Sequence, residues 1–470
     1  MEQENILQSP KLNHIHFIGI GGISMSGLAE ILINLGYKIS GSDLKTSNIT
    51  RKLEEMGATI YPYHSEDNIS NPDLVVYTAA IKSDNPELMK AKSLDIPTME
   101  RATLLGEIMR KYPFSIAVSG THGKTTTTSM VTMIMLEAGV DPTVHIGGEL
   151  GAIGGNTKIG GSKYFISEAC EYVESFLKFH PFLAIVLNIE LDHVDYFKDI
   201  EHIKSSFLKF VSLIPSNGYL VVCADDENAA YLLDKVSCNR ITYGINSENS
   251  MWKAKEITFD QHGCASYSLI HNNEVVDTIK LNVPGIHNVS NSLAAIASCS
   301  AMGCSLNDIK QGLYKFSGAN KRFETKGIVD HIWVIDDYAH HPSEVRATLK
   351  AAKNSAHTKL WCVFQPHTYT RTKAFIEDFA HSFDDADAVI VSDIYAAREK
   401  DTGEIHARDL ADRINSVDRK AVYINDFNDI VDFLDRYAAP GDIILTMGAG
   451  DISKVGEMFL KHRNLAVSNK

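Results

Sequence analysis

The sequence predicts an α/β protein of three consecutive blocks, each built on a parallel sheet, with antiparallel strands added to the middle one. Three observations lead there. The chain has 470 residues, more than one hydrophobic core organises, which suggests about three domains. Short apolar runs alternate with helix-periodic segments along its length, the pattern of strand-and-crossover units. Glycine-rich or polar stretches follow strand after strand, at the carboxyl ends where parallel sheets gather ligands.

The first block, residues 1–111, opens with the buried strand HIHFIGI, the helix GGISMSGLAEILINLG and the strand YKISGSD. ATIYPYH, DLVVYTAAI and IPTMER continue the rhythm, and Tyr112-Pro113 breaks the helix ATLLGEIMRK. The second block, 112–326, starts with the strand FSIAVSG and the helix KTTTTSMVTMIMLEAG, followed by strands in KYFISEA, LAIVLNI and YLVVCADD. Alternating segments with turn residues in ITYGINSENSMWKAKEITFDQHGCASYSLI predict antiparallel hairpins. SNSLAAIASCSAMG reads as a helix stopped by Gly303, and the block closes around GANKRFE. The third block, 327–470, runs from HIWVIDDYAHHPSEVRATLKAAK, a strand, loop and helix, through strands in KLWCVFQPH, DAVIVSDIY, KAVYI and DIILTMGAG.

Composition narrows the function. Hydrophobic residues make up 44% and charged residues 22%, as in ordinary globular proteins. No apolar run reaches the ~18 residues of a membrane helix, and MEQENILQSPKLNH lacks the layout of a signal peptide. The seven cysteines are scattered without a CxxC pair, which suggests reduced thiols in a cytoplasm and argues against a cysteine zinc site. A formal charge of -14 disfavours nucleic acid as a partner. Local cations do stand beside the glycine- and histidine-rich stretches: Lys124, Lys321, Arg322, Arg371 and Lys373.

The segment AVSGTHGKTTTTSM, with Gly120, Thr121, His122, Gly123, Lys124, Thr125 and Thr126, lies between a strand and a helix. Glycines let backbone N–H groups line one concavity, the helix adds its positive end, and lysine adds a full charge. Phosphate binding explains this set better than a plain turn does. Threonine lowers helix propensity, so Thr125–Thr128 fits a first turn where hydroxyls cap N–H groups or meet phosphate. The stretch Gly19–Gly27 resembles a dinucleotide fingerprint, with Asp43 ending the next strand and Ser24 at the third-glycine position. It suits NAD or another diphosphate nucleotide. The acidic and imidazole groups of Ser167–Glu171 and Asn188–His193, Glu168 and His193 among them, follow two strands near the phosphate loop and, with the Thr125 hydroxyl, suit Mg²⁺. Asn288 and Asn291 either cap a helix or hold an adenine. In DDYAHHP, Pro342 suits a first helical position, and the adjacent His340 and His341 point apart rather than forming a metal pair. Arg371, in FQPHTYTRT, suits a carboxylate or phosphate.

Together HFIGIGGISMSGLA, SGTHGKTTT, NIELDHVDYF, PGIHNVSNSLAA, KRFE, DDYAHHPSE, FQPHTYTRT and GAGDI resemble the Mur ligase family, in order and over nearly the whole chain. The resemblance implies a Rossmann-like UDP-sugar domain, a central P-loop ATPase-like domain and a Rossmann-like C-terminal domain for the amino acid. It implies ATP and Mg²⁺, with L-alanine joined to UDP-N-acetylmuramate through an acyl phosphate. The rival within the family joins a preformed tripeptide; a nicotinamide oxidoreductase and a nucleotide-switch protein are rivals outside it. By resemblance, Lys124 meets the β/γ-phosphates, and Thr125 and Glu168 hold one Mg²⁺ and His193 a second. Asn288 and Asn291 face adenine, and Arg322 and Asp337 reach phosphate and ribose. Tyr338, His340, His367 and Arg371 orient alanine or the muramyl carboxylate. Gly21, Gly22, Ser24, Asp43, His64, Thr78 and Arg101 hold the UDP part. Lys124, His193, Asp337 and Arg371 form the expected catalytic set. Thr368 stands where many relatives carry arginine. Phe207 or Leu208 stands near the position of a carbamylated lysine, so no carbamate is expected there, with Lys204 and Lys209 as alternatives. Monomer and homodimer both remain open.

Overall fold

The computed structural model describes residues 6–78, 80–418 and 420–468. They form two compact units: one runs to Ile189 and adds Lys204–Thr242 and Ala294–Gly312; the other takes Glu190–Ile203, Tyr243–Leu293 and the chain from Leu313.

The first unit begins with β1 (His14–Ile18), α1 (Ile23–Asn34), β2 (Lys38–Ser42), α2 (Asn48–Glu55), β3 (Thr59–Tyr61), β4 (Leu74–Tyr77), α3 (Pro86–Ser93), β5 (Thr98–Glu100) and α4 (Arg101–Met109). The strands form a parallel sheet in the order β3-β2-β1-β4-β5. Ile15, Phe17 and Ile18 of β1 are fully buried. A strand covered on both faces needs a continuous apolar run rather than alternation. The strand order reverses between β1 and β4, so the crevice at their carboxyl ends receives the Gly19–Gly22 loop and Thr78.

The chain continues through β6 (Phe114–Ser119), α5 (Lys124–Glu137), β7 (Thr143–Leu150), β8 (Gly155–Lys158), β9 (Tyr164–Glu168), β10 (Leu183–Val186), α6 (Ile200–Val211), β11 (Tyr219–Cys223), α7 (Glu227–Ala230) and β12 (Asn239–Gly244). Within the first unit the order is β11-β10-β6-β9-β7-β8, parallel except for β8. A Cβ on Gly27 would lie 2.2 Å from Thr157 Oγ1 and 2.8 Å from His145 Nδ1. The glycine therefore lets α1 lie directly against β7 and β8. Close packing, the service a third fingerprint glycine performs, falls to Gly27 rather than to the Ser24 position.

The second unit carries β13 (Trp252–Phe259), β14 (Cys264–His271) and β15 (Glu274–Pro284), antiparallel neighbours as expected. One expectation is corrected: ITYG is no hairpin arm, because β12 pairs parallel with β13 at Tyr243↔Trp252 and Gly244↔Lys253. The short link 245–251 leaves room for only this brief overlap. Helices α8 (Ile286–Ala301) and α9 (Leu306–Lys315) follow.

The last sheet is built from β16 (Glu324–Val329), β17 (Ile332–Asp337), α10 (Pro342–Lys353), β18 (Leu360–Phe364), α11 (Tyr369–Ala374), α12 (Ile376–Ala380), β19 (Ala388–Val391), α13 (Ala407–Val417), β20 (Ala421–Tyr423), α14 (Phe427–Tyr437), β21 (Ile443–Met447) and α15 (Ser453–Ser468). Its order is β16-β17-β21-β18-β19-β20, with β16 antiparallel and the rest parallel. The boundary drawn between 326 and 327 falls inside β16. One apolar core gathers around Leu349, Phe364, Phe379 and Leu410, another around Trp361, Ile430, Leu434 and Phe459.

Candidate active site

The loop between β6 and α5 is shaped by two glycines at positive φ, Gly120 at 140° and Gly123 at 84°. A Cβ on Gly120 would come within 2.9 Å of Leu187 Cβ. Asn188, just past β10, holds the loop. Its carbonyl accepts from Thr121 N at 3.1 Å, its Oδ1 accepts from His122 N at 2.8 Å, and its Nδ2 donates to His122 O at 3.2 Å. Lys124 opens α5 and turns back into the loop. Its Nζ donates to the carbonyls of Gly120 at 2.6 Å and Thr121 at 3.0 Å and pairs with buried Glu171 at 2.9 Å. Burial pushes the ammonium pKa down; Glu171 reverses this and raises it, so the lysine stays charged.

The helix N-terminus has no side-chain cap, and Thr128 Oγ1 donates to Lys124 O at 2.8 Å. Thr128 thus bonds back along the helix, correcting the expectation that it caps an N–H or meets phosphate. Glu168 ends β9 beside Val118 of β6, and its Oε1 accepts from Gly147 N at 2.7 Å. Cβ atoms on Gly147 and Gly148 would meet Glu168 Oε2 at 2.9 Å and Thr125 Cγ2 at 3.1 Å. This glycine pair lets β7 run close past both residues.

In the crevice of the first sheet, Gly19 adopts φ 81° and Gly22 caps α1. Asp43 Oδ2 accepts from Gly21 N at 2.9 Å, tying the end of β2 to the glycine loop. Ser24 Oγ accepts from Arg101 Nη1 at 2.9 Å and bonds His145 Nε2 at 2.9 Å. Burial, aided by Arg101, lowers the His145 pKa to about 3, so this imidazole is neutral. Thr78 Oγ1 accepts from Ala80 N at 3.2 Å. His64 Nδ1 meets Ser42 Oγ at 2.8 Å. These residues share the crevice; His145 was not foreseen, because only the fold brings β7 to α1.

In the second unit, Asp337 ends β17 and accepts from Phe323 N at 2.7 Å and Ala339 N at 2.8 Å. Burial, opposed by Arg322, pushes its pKa up to about 6. Arg322 lies over the Tyr338 ring, 4.9 Å from its centroid. His341 caps α10 ahead of Pro342. His340 turns elsewhere, its Nδ1 donating to Tyr338 O at 2.9 Å, so the two histidines part as expected. Arg371 donates to Asp192 Oδ1 from Nε at 3.0 Å and Nη2 at 2.9 Å, and from Nη1 to His367 Nδ1 at 3.1 Å. Burial raises the Asp192 pKa, but Arg371 overrides it and holds the carboxyl well below its ordinary range.

Proton positions follow from these bonds. Arginine only donates, so His367 Nδ1 accepts and the neutral ring carries its proton on Nε2. His340 donates from Nδ1, which leaves a lone pair on Nε2. Burial lowers both pKa values, to about 3 for His367 and about 4 for His340. Their rings meet edge-on with centroids 5.6 Å apart. A donor and an acceptor side by side suit a molecule that carries both a carboxylate and an amine. His193 follows Asp192 at φ 51°. Asn288 Nδ2 donates to Pro284 O at 2.7 Å, and Asn291 Nδ2 donates to Asn288 Oδ1 at 3.1 Å. Thr368 caps α11, its Oγ1 accepting from Arg371 N at 3.4 Å. Phe207 is buried against Phe176, Lys204 lies over the Tyr231 ring and Lys209 pairs with Glu174 at 2.9 Å.

Known families match this arrangement in three consecutive segments: "Mur ligase family, catalytic domain" over residues 14–113, "Mur ligase middle domain" over 118–299 and "Mur ligase, glutamate ligase domain" over 321–450. The chain belongs to the Mur ligase family. Among Mur ligases it is 63% identical to the UDP-N-acetylmuramate–L-alanine ligase of Acetivibrio thermocellus, over 99% of each chain. It is 52% identical to the enzyme of that name from Caldanaerobacter subterraneus subsp. tengcongensis, over 96% of this chain and 98% of the relative. The solved UDP-N-acetylmuramate–alanine ligase of Thermotoga maritima superposes with a TM-score of 0.81 at 29% identity, covering 96% of this Mur ligase and 99% of that chain. A murein peptide ligase from Psychrobacter arcticus gives 0.70 at 27% identity, over 96% and 98%.

Proposed function

We propose that this Mur ligase joins L-alanine to the lactyl carboxylate of UDP-N-acetylmuramate at the expense of ATP, in the synthesis of peptidoglycan precursors. The observation that carries the proposal is 63% identity, over 99% of both chains, to a ligase of that name. A carboxylate resists attack because its leaving group would be oxide; phosphorylation supplies a good one. In the proposed sequence the γ-phosphoryl group of ATP passes to the carboxylate. The amine of alanine attacks the acyl phosphate, and the tetrahedral adduct collapses to amide and phosphate.

The loop of Gly120–Thr125 is proposed to take the triphosphate, with the Lys124 ammonium moving from Glu171 to phosphate oxygens. Arg322 and Asp337 are proposed for the nucleotide, and Tyr338, His340, His367 and Arg371 for alanine or the muramyl carboxylate. His367 Nε2–H suits a carboxylate oxygen, and the His340 Nε2 lone pair suits the amine proton that must leave. The Thr125 hydroxyl and the Glu168 carboxylate, oxygen ligands of the kind Mg²⁺ takes, are proposed for that ion. His193, in the other unit, offers nitrogen, a poorer ligand for that ion. Mg²⁺ would screen the negative charges that the reaction brings together. The three expected domains, a cytoplasmic location and a monomeric or homodimeric state belong to the same proposal. Among the described residues no helix is long and apolar enough to cross a membrane.

Phosphate release should require ATP, Mg²⁺, UDP-N-acetylmuramate and L-alanine together. Oxygen-18 placed in the lactyl carboxylate should appear in the released phosphate. Release indifferent to alanine, or faster turnover with tripeptide, counts against the proposal.

A further inference from the structure

The reaction leaves unused a fully buried carboxylate beneath the first crevice. Glu87 lies in the first turn of α3, 0% exposed. Ser42 Oγ donates to its Oε2 at 2.6 Å and Asn68 Nδ2 to its Oε1 at 2.6 Å. His64 Nδ1 lies 3.1 Å from Oε2, and His16 Nε2, buried without a hydrogen bond, 3.6 Å from Oε1. Burial pushes this carboxyl up, but the neighbouring His16 imidazole and the hydrogen bonds from Ser42 and Asn68 outweigh it and hold the pKa below the ordinary value. Keeping an ionised group out of water is costly, so what the group holds in place bears on the use of the site.

With His64 neutral, the network has one proton arrangement. An ionised Glu87 only accepts. The single hydroxyl proton of Ser42 is committed to Glu87, so the 2.8 Å contact between His64 Nδ1 and Ser42 Oγ runs from N–H to oxygen. His64 is therefore the Nδ1–H tautomer, with a lone pair on Nε2. The imidazole is also where the cluster reaches the surface, with 17% of the side chain exposed. His64 follows β3, the strand beyond β2 on the edge of the sheet. In folds of this kind the pyrophosphate faces the first helix N-terminus and the ribose meets the acid ending the second strand. With Gly21–Gly22 and Asp43 in those places, the base falls beyond β3.

We propose that Glu87, through Ser42, is a positioning residue that locks His64 as an acceptor for the imide N–H of uracil, so that the crevice takes uridine rather than cytidine nucleotides. The proposal rests on the UDP-sugar reading above. Uracil offers N3–H to the His64 lone pair, whereas cytosine presents a bare N3, which leaves two acceptors facing each other.

Calorimetric titration of the full chain with UDP and CDP tests the preference. UDP should bind at least about tenfold tighter, a difference of one hydrogen bond made or lost. ¹⁵N histidine ring spectra, with His64 identified by its absence in His64→Gln, should show Nδ1 protonated and Nε2 bare. Glu87→Gln should release the tautomer and narrow the UDP:CDP ratio roughly threefold or more, while kcat and the KM for ATP and alanine stay within about twofold. Should Glu87→Gln fail to fold, Ser42→Ala removes the same bridge. An Nε2–H tautomer in the parent chain, equal affinity for UDP and CDP, or a ratio unmoved by these variants overturns the inference. Equal affinity combined with turnover of UDP-N-acetylmuramate overturns it and leaves the function standing. A uridine preference with Nδ1–H His64 but no turnover of that sugar keeps it and overturns the function.

Discussion

Lys124 Nζ and Glu171 Oε2 stand 2.9 Å apart in space yet 47 positions apart in sequence. The lysine was legible in the chain because glycines and a helix start surround it; its carboxylate partner was not, since nothing in SEACE distinguishes the paired acid from a solvated one. The pairing sharpens what Lys124→Ala should do. Turnover should fall roughly 10²-fold or more as phosphate charge loses its cation. Stability should also fall by about 3 kcal/mol, because the Glu171 carboxylate is left buried without its lysine. Lys124→Met combined with Glu171→Gln should recover the stability, read by urea unfolding, but not the turnover. Asp192 makes the matching case in the second unit, where it meets Arg371 across 179 positions. Its folded pKa lies below the ordinary carboxylate value of about 4, so the pair stabilises above that value and the contribution is lost as the pH falls through the depressed pKa. Asp192→Asn should be less stable than the parent chain by about 3 kcal/mol at pH 7. The gap should close progressively below pH ~4 in urea titrations. A gap constant with pH would remove the ion pair from the account.

Elements announced themselves unevenly. Buried parallel strands such as β1, β10, β18 and β21 were read directly, because a strand covered on both faces is a plain apolar run. β7 and β8 were not: HIGGELGAIGGNTK has glycines where alternation should show, and those glycines serve approach rather than strand propensity. β16 hid for a related reason, as ETKGIV carries polar residues and an exposed Ile328 on an edge strand. Gly27 tests how much close approach matters. Its Cβ would lie 2.2 Å from Thr157 Oγ1, so Gly27→Ala must push α1 away from β7 and β8 or displace His145. Overpacking of this kind costs roughly 1–3 kcal/mol. It also separates Ser24 from His145 and Arg101. The expected result is a lower melting temperature and a raised KM for the nucleotide sugar, with the KM for ATP nearly unchanged. Unchanged melting would show that the helix has slack.

At the scale of the whole molecule, chain order and folding units diverge. The chain crosses between the two compact units five times, at 189/190, 203/204, 242/243, 293/294 and 312/313. Motifs in sequence order therefore suggested consecutive blocks, whereas the units are assembled from interleaved segments, and no local pattern reveals such interleaving. The last crossing is different, because Leu313–Lys470 is one continuous stretch. It contains every strand of the β16–β21 sheet and nearly all of both apolar cores, with Leu191 and Val194 the partly buried contributors from outside it. Losing those two contacts, and Asp192 as the buried partner of Arg371, costs several kcal/mol. Expressed alone, Leu313–Lys470 should fold, with dispersed amide spectra and a cooperative melt below that of the full chain. A fragment ending at Ile189 should not, since it strips β11 from the edge of β10 and removes α9, where a Cβ on Gly312 would lie 2.5 Å from Ile134 Cα. An exposed strand edge and an uncovered apolar helix face lead to aggregation. The intact chain should accordingly unfold in more than one step, with a calorimetric enthalpy exceeding the van't Hoff value. A disordered C-terminal fragment, together with a single two-state transition of the full chain, would show that the six-stranded sheet draws its stability from the segments upstream.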